Sequence, residues 1–215
     1  MLTIWGRATS SNVQAVMWCV GELGLAHTRH DVGHLHGGLD SAAFARLNPN
    51  RQIPVIQDGG DAPIWETGAI LRYLAARYGA DPFWPADPAI RAQVDKWAEW
   101  GKLNAEERFT GPVFWRVVRT PPDQQDIHAI RAAVDRLETS LAVADDQLSR
   151  HAFLAGDHVT LADIQLGHIL WRYYDIDITR RDLPNLAAYH DRLKTRPAYR
   201  RHVMVDYEIL RGSRL

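Results

Sequence analysis

A proline stands within what is otherwise a clean β-strand, and the residues around it constrain the fold more than any other part of the chain. Asn48 to Gly79 reads NPNRQIPVIQDGGDAPIWETGAILRYLAARYG. Ile53-Pro54-Val55-Ile56 has strand character, Asp58-Gly59-Gly60 turns the chain, and Pro63-Ile64-Trp65 returns. Glu66-Thr67 then opens a helix with Ile70, Leu71, Leu74 and Tyr78 on one face and Gly79 at its end. Proline cannot donate to a sheet ladder, so Pro54 must start its strand or lie at an edge, and a cis bond before it fits. The N–H and C=O of Ile53 are then available to a partner outside the sheet. A helix N-terminus at Glu66-Thr67 offers N–H groups to an anion. The pair makes a candidate site for an extended, charged, peptide-like ligand.

The sequence before this stretch supplies a β-α-β order. Leu2-Thr3-Ile4-Trp5 reads as a strand and Gly6 to Asn12 as a polar loop. Val13, Val16, Met17, Val20 and Leu23 then recur at helical spacing, with Gly24 at the end. His27 to Val32 reads as a second strand, His34 to Ser41 as a loop, and Ala42 to Leu47 as a short helix ended by Asn48-Pro49. A right-handed crossover makes the first two strands parallel, and the Asp58-Gly59-Gly60 turn makes the last two antiparallel. The expected fold of residues 1–80 is therefore βαβ followed by ββα, a small mixed sheet with helices on its faces.

Residues 81–88 carry Pro82, Pro85 and Pro88 and read as a linker. Residues 89–215 show no convincing strand. Ile90, Val94, Trp97, Gly101 and Leu103 begin a helical face, and Arg119-Thr120-Pro121-Pro122 interrupts it. Ile127, Ile130, Val134, Leu137, Leu141 and Leu148 mark a long amphipathic helix. Thr160-Leu161-Ala162-Asp163 is a capping box with Asp in place of Glu or Gln, opening a buried helix to about Trp171. Pro184 and Pro197 suit the first turns of two more helices.

Composition narrows the function classes. A net charge of −1 over 215 residues gives no electrostatic footprint for nucleic acid or an anionic membrane. One cysteine excludes an internal disulfide framework and a CxxC redox pair. The opening MLTIWGRATS has neither the basic nor the apolar region of a secretory leader, and no apolar run reaches the roughly 20 residues of a membrane helix. The expectation is a soluble, cytoplasmic protein. Eight tryptophans hint at a ligand pocket without locating it.

Several residues admit two uses. Thr9-Ser10-Ser11-Asn12 lies between the first strand and the first helix, where hydroxyls could donate to a thiolate beside a positive helix end. Ser and Asn are also ordinary helix caps, and spacing alone favours that use. Thr67 could likewise be an N-cap and Glu66 an acid that complements the helix dipole. His27, His30, His34 and His36 lack nearby cysteines or a regular ligand spacing, so no metal is expected. Cys19, inside the first helix, reads as a buried structural thiol. Arg192, Lys194, Arg196, Arg200 and Arg201 read as a solvated helix face.

Taken together, these segments resemble the cytosolic glutathione S-transferases, most of all a bacterial, serine-type branch. The resemblance spans nearly the whole chain and rests on G-R-A-T-S-S-N-V, N-P-N-R-Q-I-P-V-I, W-E-T-G-A-I-L-R-Y-L and F-L-A-G-D-H-V-T-L-A-D-I. It implies a thioredoxin-like N-terminal domain, an all-helical C-terminal domain that forms the electrophile site, and glutathione as co-substrate. It implies that Ser10 donates to the glutathione sulfur, with Asn12 and Ser11 beside it. Ile53, before Pro54, would pair with the cysteinyl unit, and Glu66 and Thr67 would hold the γ-glutamyl end. Arg51, Gln52 or His36 would reach the glycyl carboxylate; Arg51-Gln52 stands where the family pattern has Gly-Lys, and Thr67 where it has Ser. Trp115 and Trp171 are expected at the electrophile pocket. The resemblance further implies a homodimer. The expected activity is attack of a glutathione thiolate on small electrophiles such as halogenated compounds, in the manner of a detoxification enzyme. Glutathione-dependent disulfide reduction, or a transferase-fold interaction protein without catalysis, are the alternatives.

Overall fold

A computed structural model describes residues 1–213. Four strands, β1 (Leu2–Trp5), β2 (His27–His30), β3 (Val55–Asp58) and β4 (Ile64–Trp65), form one sheet in the order β2-β1-β3-β4. β1 runs parallel to β2, while β3 is antiparallel to both β1 and β4. Three helices, α1 (Ser11–Glu22), α2 (Ala42–Leu47) and α3 (Thr67–Tyr78), complete the thioredoxin-like βαβ-ββα order. Pro54 precedes β3 instead of lying inside it, and the Ile53-Pro54 bond is cis. The ladder therefore begins one residue after the proline, which spares it the missing N–H.

The elements after Asp87, whose carboxylate caps the next helix through the N–H groups of Ala89 and Ile90, are helical. These are α4 (Pro88–Trp100), α5 (Glu107–Phe109), α6 (Ile127–Leu148), α7 (Leu161–Asp175), α8 (Pro184–Lys194) and α9 (Pro197–His202). One π-helical stretch, Gly101–Glu106, joins α4 to α5, and a second, Thr110–Arg119, continues from α5. Pro112 has no N–H to give and its ring would crowd the carbonyl of Arg108, so a widened turn fits there. Leu103, expected on the packed face with Ile90, is 49% exposed, and Ile90 itself 59%, while Val94, Ala98, Ala105, Phe109 and Val113 are buried. Leu103 comes about 220° around a regular helix from Ile90, so 3.6-residue spacing already puts the two on different faces. Ile127 is likewise exposed at the start of α6, whose remaining apolar face is buried as the spacing predicts.

α7 is the central post. It packs on α1 and α4, and the absence of a side chain at Gly167 lets it approach α1: a Cβ there would stand 2.8 Å from the Trp18 ring. The capping box at Thr160 forms, and the Asp163 carboxylate inside it is fully buried. It accepts from the N–H of Leu154 at 3.0 Å, the N–H of Thr160 at 2.8 Å, the Thr160 hydroxyl at 3.0 Å and the Tyr189 hydroxyl at 2.9 Å. Four donors offset part of the cost of burying that charge, and burial still raises its pKa. Cys19 is buried, and burial pushes its thiol far up, which makes it unreactive.

Candidate functional site

Sheet register gathers the expected site. Trp5 pairs with His30 on one side and with Val55 on the other, and Val55 pairs with Trp65. The first loop follows Trp5, the β2–α2 segment follows His30, Ile53-Pro54 precedes Val55, and Glu66-Thr67 follows Trp65. All four segments therefore leave the sheet at the same end. A Cβ at Gly6 would lie 3.4 Å from the Ile53 Cβ, so the first loop rests directly beside the cis-proline segment.

Ser10 is the N-cap of α1, with extended backbone, and its side chain makes no capping hydrogen bond. The capping use of the hydroxyl is thus set aside, and it is uncommitted among the described residues. The loop that carries it is held from two directions. Gln14 of α1 donates to the Ala8 carbonyl at 2.9 Å, and Arg172 of α7 donates to the Thr9 carbonyl at 2.7 Å. Ser11 is buried in the first turn. The Asn12 Oδ1 is buried with no hydrogen-bond partner among the described residues.

The segment before Pro54 is fastened by Asn48, a buried residue the sequence reading treated only as a helix stop. Its amide donates to the Gln52 carbonyl at 2.9 Å and its Oδ1 accepts from the Asn50 N–H at 2.9 Å. Arg51 turns the chain with φ 54. It occupies the left-handed region at the position where the resemblance has glycine, and its guanidinium donates to the Leu39 carbonyl at 3.2 Å. Arg51, Gln52 and His36 are all exposed.

Glu66, not Thr67, is the N-cap of α3; Thr67 is its first residue and is buried. Glu66 is exposed, its side chain makes no cap bond, and its backbone stands at φ 69. A non-glycine residue in that region costs of order 1–3 kcal/mol, and such residues cluster where a ligand is gripped.

The two tryptophans part company. Trp115 is 41% exposed, and the Arg119 guanidinium lies over its ring at 5.3 Å. Trp171 is turned about 100° around α7 from Arg172, the residue that reaches the first loop. It lines a crevice with Tyr174, His190 and Lys194, between α7 and α8. The helical repeat that directs Arg172 to Thr9 thus directs Trp171 elsewhere.

Sequence reading missed three arginines at this end of the molecule. Arg7 lies in the first loop, and a Cβ on Gly33 would meet its Nη1 at 3.3 Å. Arg119 comes from the π-helical stretch and Arg172 from α7, where it sits over the rings of Phe114 at 4.6 Å and Tyr207 at 5.4 Å. Burial lowers the pKa of Arg7, with Arg119 adding to it, and burial lowers that of Arg119. Arg172 is pushed down to about 9, chiefly by burial, with Arg7 and Arg119 contributing. His34 is lowered by burial and then by Arg7, Arg119 and His36. The signal available in the sequence was slight: Arg119 stood in the interruption and Arg172 beside a more conspicuous Trp171. Among the described residues, no group of His, Cys, Asp and Glu is placed to hold a metal.

The sequence and fold have counterparts among known proteins. Residues 9–77 match the glutathione S-transferase N-terminal domain, and residues 127–192 match the glutathione S-transferase C-terminal domain. The chain is 34% identical over 206 residues to the glutathione S-transferase GstB of Escherichia coli K12, covering 95% of this chain and 99% of that protein. A theta class glutathione S-transferase of Xanthomonas axonopodis pv. citri, solved with glutathione bound, superposes with a TM-score of 0.90 at 42% identity, covering 95% of this chain and 98% of that one. Over a shorter span, 129 residues (59% of this chain, 43% of that protein), the chain is 34% identical to the disulfide-bond oxidoreductase YghU of Escherichia coli K12. On fold and sequence, this chain belongs to the glutathione S-transferase family and is a glutathione transferase.

Proposed function

We propose that this enzyme binds glutathione at the end of its sheet and activates it as a thiolate toward small, halogen-bearing electrophiles. The observation that carries the reading is the uncommitted Ser10 hydroxyl at the N-terminus of α1, beside Ile53 and the cis-proline. In this reading Ser10 donates to the glutathione sulfur, with Asn12 and Ser11 near it. The main chain of Ile53 pairs with the cysteinyl unit. Glu66 takes the γ-glutamyl ammonium, and the Thr67 N–H and hydroxyl take its carboxylate. Arg51, Gln52 or His36 meets the glycyl carboxylate.

The thiol proton leaves to solvent. The sulfur then forms a C–S bond with the electrophilic carbon, and the halide departs with the bonding pair. Two contributions lower the barrier: the held thiolate and the positioning of two reactants. A free thiol of pKa about 8.5 is only a few per cent ionised near neutrality, and a downward shift of about two units, roughly 2.7 kcal/mol, makes the thiolate dominant. Trp115 is the proposed aromatic wall for the electrophile. A detoxifying, cytoplasmic homodimer is the setting this reading implies. Among the described residues no helix is long and apolar enough to cross a membrane, and Ile90 and Leu103 leave apolar surface uncovered.

The test is a panel of aryl and alkyl halides with glutathione, on wild type and Ser10→Ala. Ser10→Ala should lose roughly 10- to 100-fold in kcat/KM near neutral pH and recover at higher pH, as the loss of one sulfur donor predicts. Full activity at neutral pH would move the role to Ser11, Thr9 or Asn12. Likeness to YghU favours a second reading, glutathione-dependent disulfide reduction. Hydroxyethyl disulfide in the same panel separates the two. No thermal stabilisation by millimolar glutathione would point to a binding fold without catalysis.

A further inference from the structure

Arg7 and Arg119 are set apart from the other buried and half-buried arginines among the described residues. Arg72 pairs with Asp95 and Glu99, Arg196 pairs with Glu22, and Arg180 and Arg91 donate to main-chain carbonyls. Among the described residues, Arg7 and Arg119 have no such partner. Buried and without a hydrogen-bond partner among the described residues are Nε of Arg7, Nε and Nη2 of Arg119, and Nε of Arg172. Arg119 is 6% exposed and Arg172 2%. The nearby carboxylate of Asp175 is engaged by the Tyr207 hydroxyl and forms no ion pair with Arg172. Buried cations without an anion are costly, and three that repel one another more so.

Their positions say what would relieve that cost. Arg172 holds the carbonyl of Thr9, next to Ser10, so the cluster abuts the proposed sulfur donor. The Arg119 guanidinium lies over the Trp115 ring at 5.3 Å, which puts a positive charge beside the proposed aromatic wall. Arg7 approaches from the first loop beside Gly33 and Ile53. The charge therefore converges from both halves of the chain on the space next to the sulfur. The peptide-holding groups Glu66 and Thr67 lie instead at the β4 edge of the sheet.

We propose, on the transferase reading above, that Arg7 and Arg119, with Arg172 behind them, form a subsite for the anionic group of the second substrate. The preferred electrophile is then an aromatic carboxylate, its ring against Trp115 and its carboxylate on the guanidinium groups. The chemistry is unchanged: the glutathione sulfur bonds to the ring carbon, and halide leaves with its electron pair.

A matched pair of acceptors tests this: chlorodinitrobenzoate and chlorodinitrobenzamide, alike in shape and differing in charge. Turnover is measured on wild type, Arg7→Gln, Arg119→Gln and Arg119→Lys. Binding of the unreactive dinitrobenzoate and dinitrobenzamide is measured by calorimetry with S-methylglutathione present. Wild type should favour the carboxylate by about tenfold or more in both assays, as one charge-assisted hydrogen bond predicts. Arg119→Gln should bring that ratio near one, and Arg119→Lys should keep part of it. Arg7→Gln, at a partly exposed position, gives the same reading should Arg119→Gln fail to fold. No carboxylate preference in wild type, or one unmoved by either Gln substitution, overturns the proposal. So does a rise in KM for glutathione shared by both acceptors, which would assign the arginines to a glutathione carboxylate. An equal loss of kcat on both acceptors with a raised thiol pKa overturns it too, assigning them to the thiolate. Carboxylate binding without turnover of either acceptor would sink the transferase reading and leave the anion subsite standing.

Discussion

At the scale of single residues, Arg51 shows how far a chain can leave a pattern without leaving the shape. A left-handed conformation costs an L-residue roughly 1–2 kcal/mol that glycine does not incur. Arg51 nonetheless stands at φ 54, held by its N–H to the Asn48 carbonyl at 3.0 Å and its guanidinium to the Leu39 carbonyl. Arg51→Gly removes the backbone cost but adds chain entropy to the unfolded state, about 0.5–1 kcal/mol. The two nearly cancel. Urea unfolding of Arg51→Gly should therefore lie within about 1 kcal/mol of wild type. A loss of more than about 2 kcal/mol would mean that the side-chain contact, and not the backbone, governs this turn. Asn48 carries the opposite lesson. The residue type before a proline is readable as a stop signal, but its two hydrogen bonds across the loop become visible only once the loop is closed.

At the scale of elements, α1 and α9 are tied by one ion pair. Glu22 accepts from the Trp18 indole at 2.7 Å and from Nε and Nη2 of Arg196 at 2.7 and 2.6 Å. The pair is bidentate and partly buried, a geometry lysine cannot copy. Arg196→Lys should therefore lose most of what Arg196→Ala loses, on the order of 1 kcal/mol once partial solvent screening is allowed for. Equal stability of Arg196→Lys and wild type in thermal unfolding would show that charge alone suffices. That arginine had been read as part of a solvated basic face, because sequence spacing shows which residues share a face but not what faces them. Element type and order were legible, since hydrophobic period, turn residues, the capping box at Thr160 and the prolines at 184 and 197 are local signals. The π-helical stretches were not. They shift the helical phase of the residues beyond them, Arg119 among these, although no residue type announces the shift. Ile53, Glu66 and Thr67 are candidates on local signals, and Ser10 on the resemblance. Arg7, Arg119 and Arg172 meet only through tertiary packing.

At the scale of the whole molecule, buried histidines set how the fold answers to acid. His168 in α7 is fully buried, with Nδ1 3.2 Å from the Ile164 carbonyl and Nε2 unpartnered among the described residues. His190 in α8 stacks on Tyr174 at 4.7 Å. Burial pushes each imidazole down to about 4, while an unfolded histidine titrates near 6.5. The folded pKa is the lower one, so between these values the unfolded chain binds more protons. The stability these two residues contribute is complete above about pH 6.5 and is lost as pH falls toward 4. Each group contributes a slope of at most about 1.4 kcal/mol per pH unit in that window, so together they approach 2.7, and the half-buried His202, which burial also pushes down to about 4, adds a third contribution. The carboxylates whose pKa is lowered, Asp58, Asp191 and Glu208, are near the surface and begin to matter only at lower pH, while Asp163, raised by burial, takes up its proton first in the folded state and opposes part of the loss. The histidines therefore dominate the first loss. Unfolding free energy from urea titrations should fall steadily between about pH 7 and pH 5, and His190→Phe, which keeps a ring against Tyr174, should remove about a third of the slope. A wild-type stability that stays level across that range would show that both imidazoles accept protons in place, and that α7 and α8 open to water without unfolding the rest.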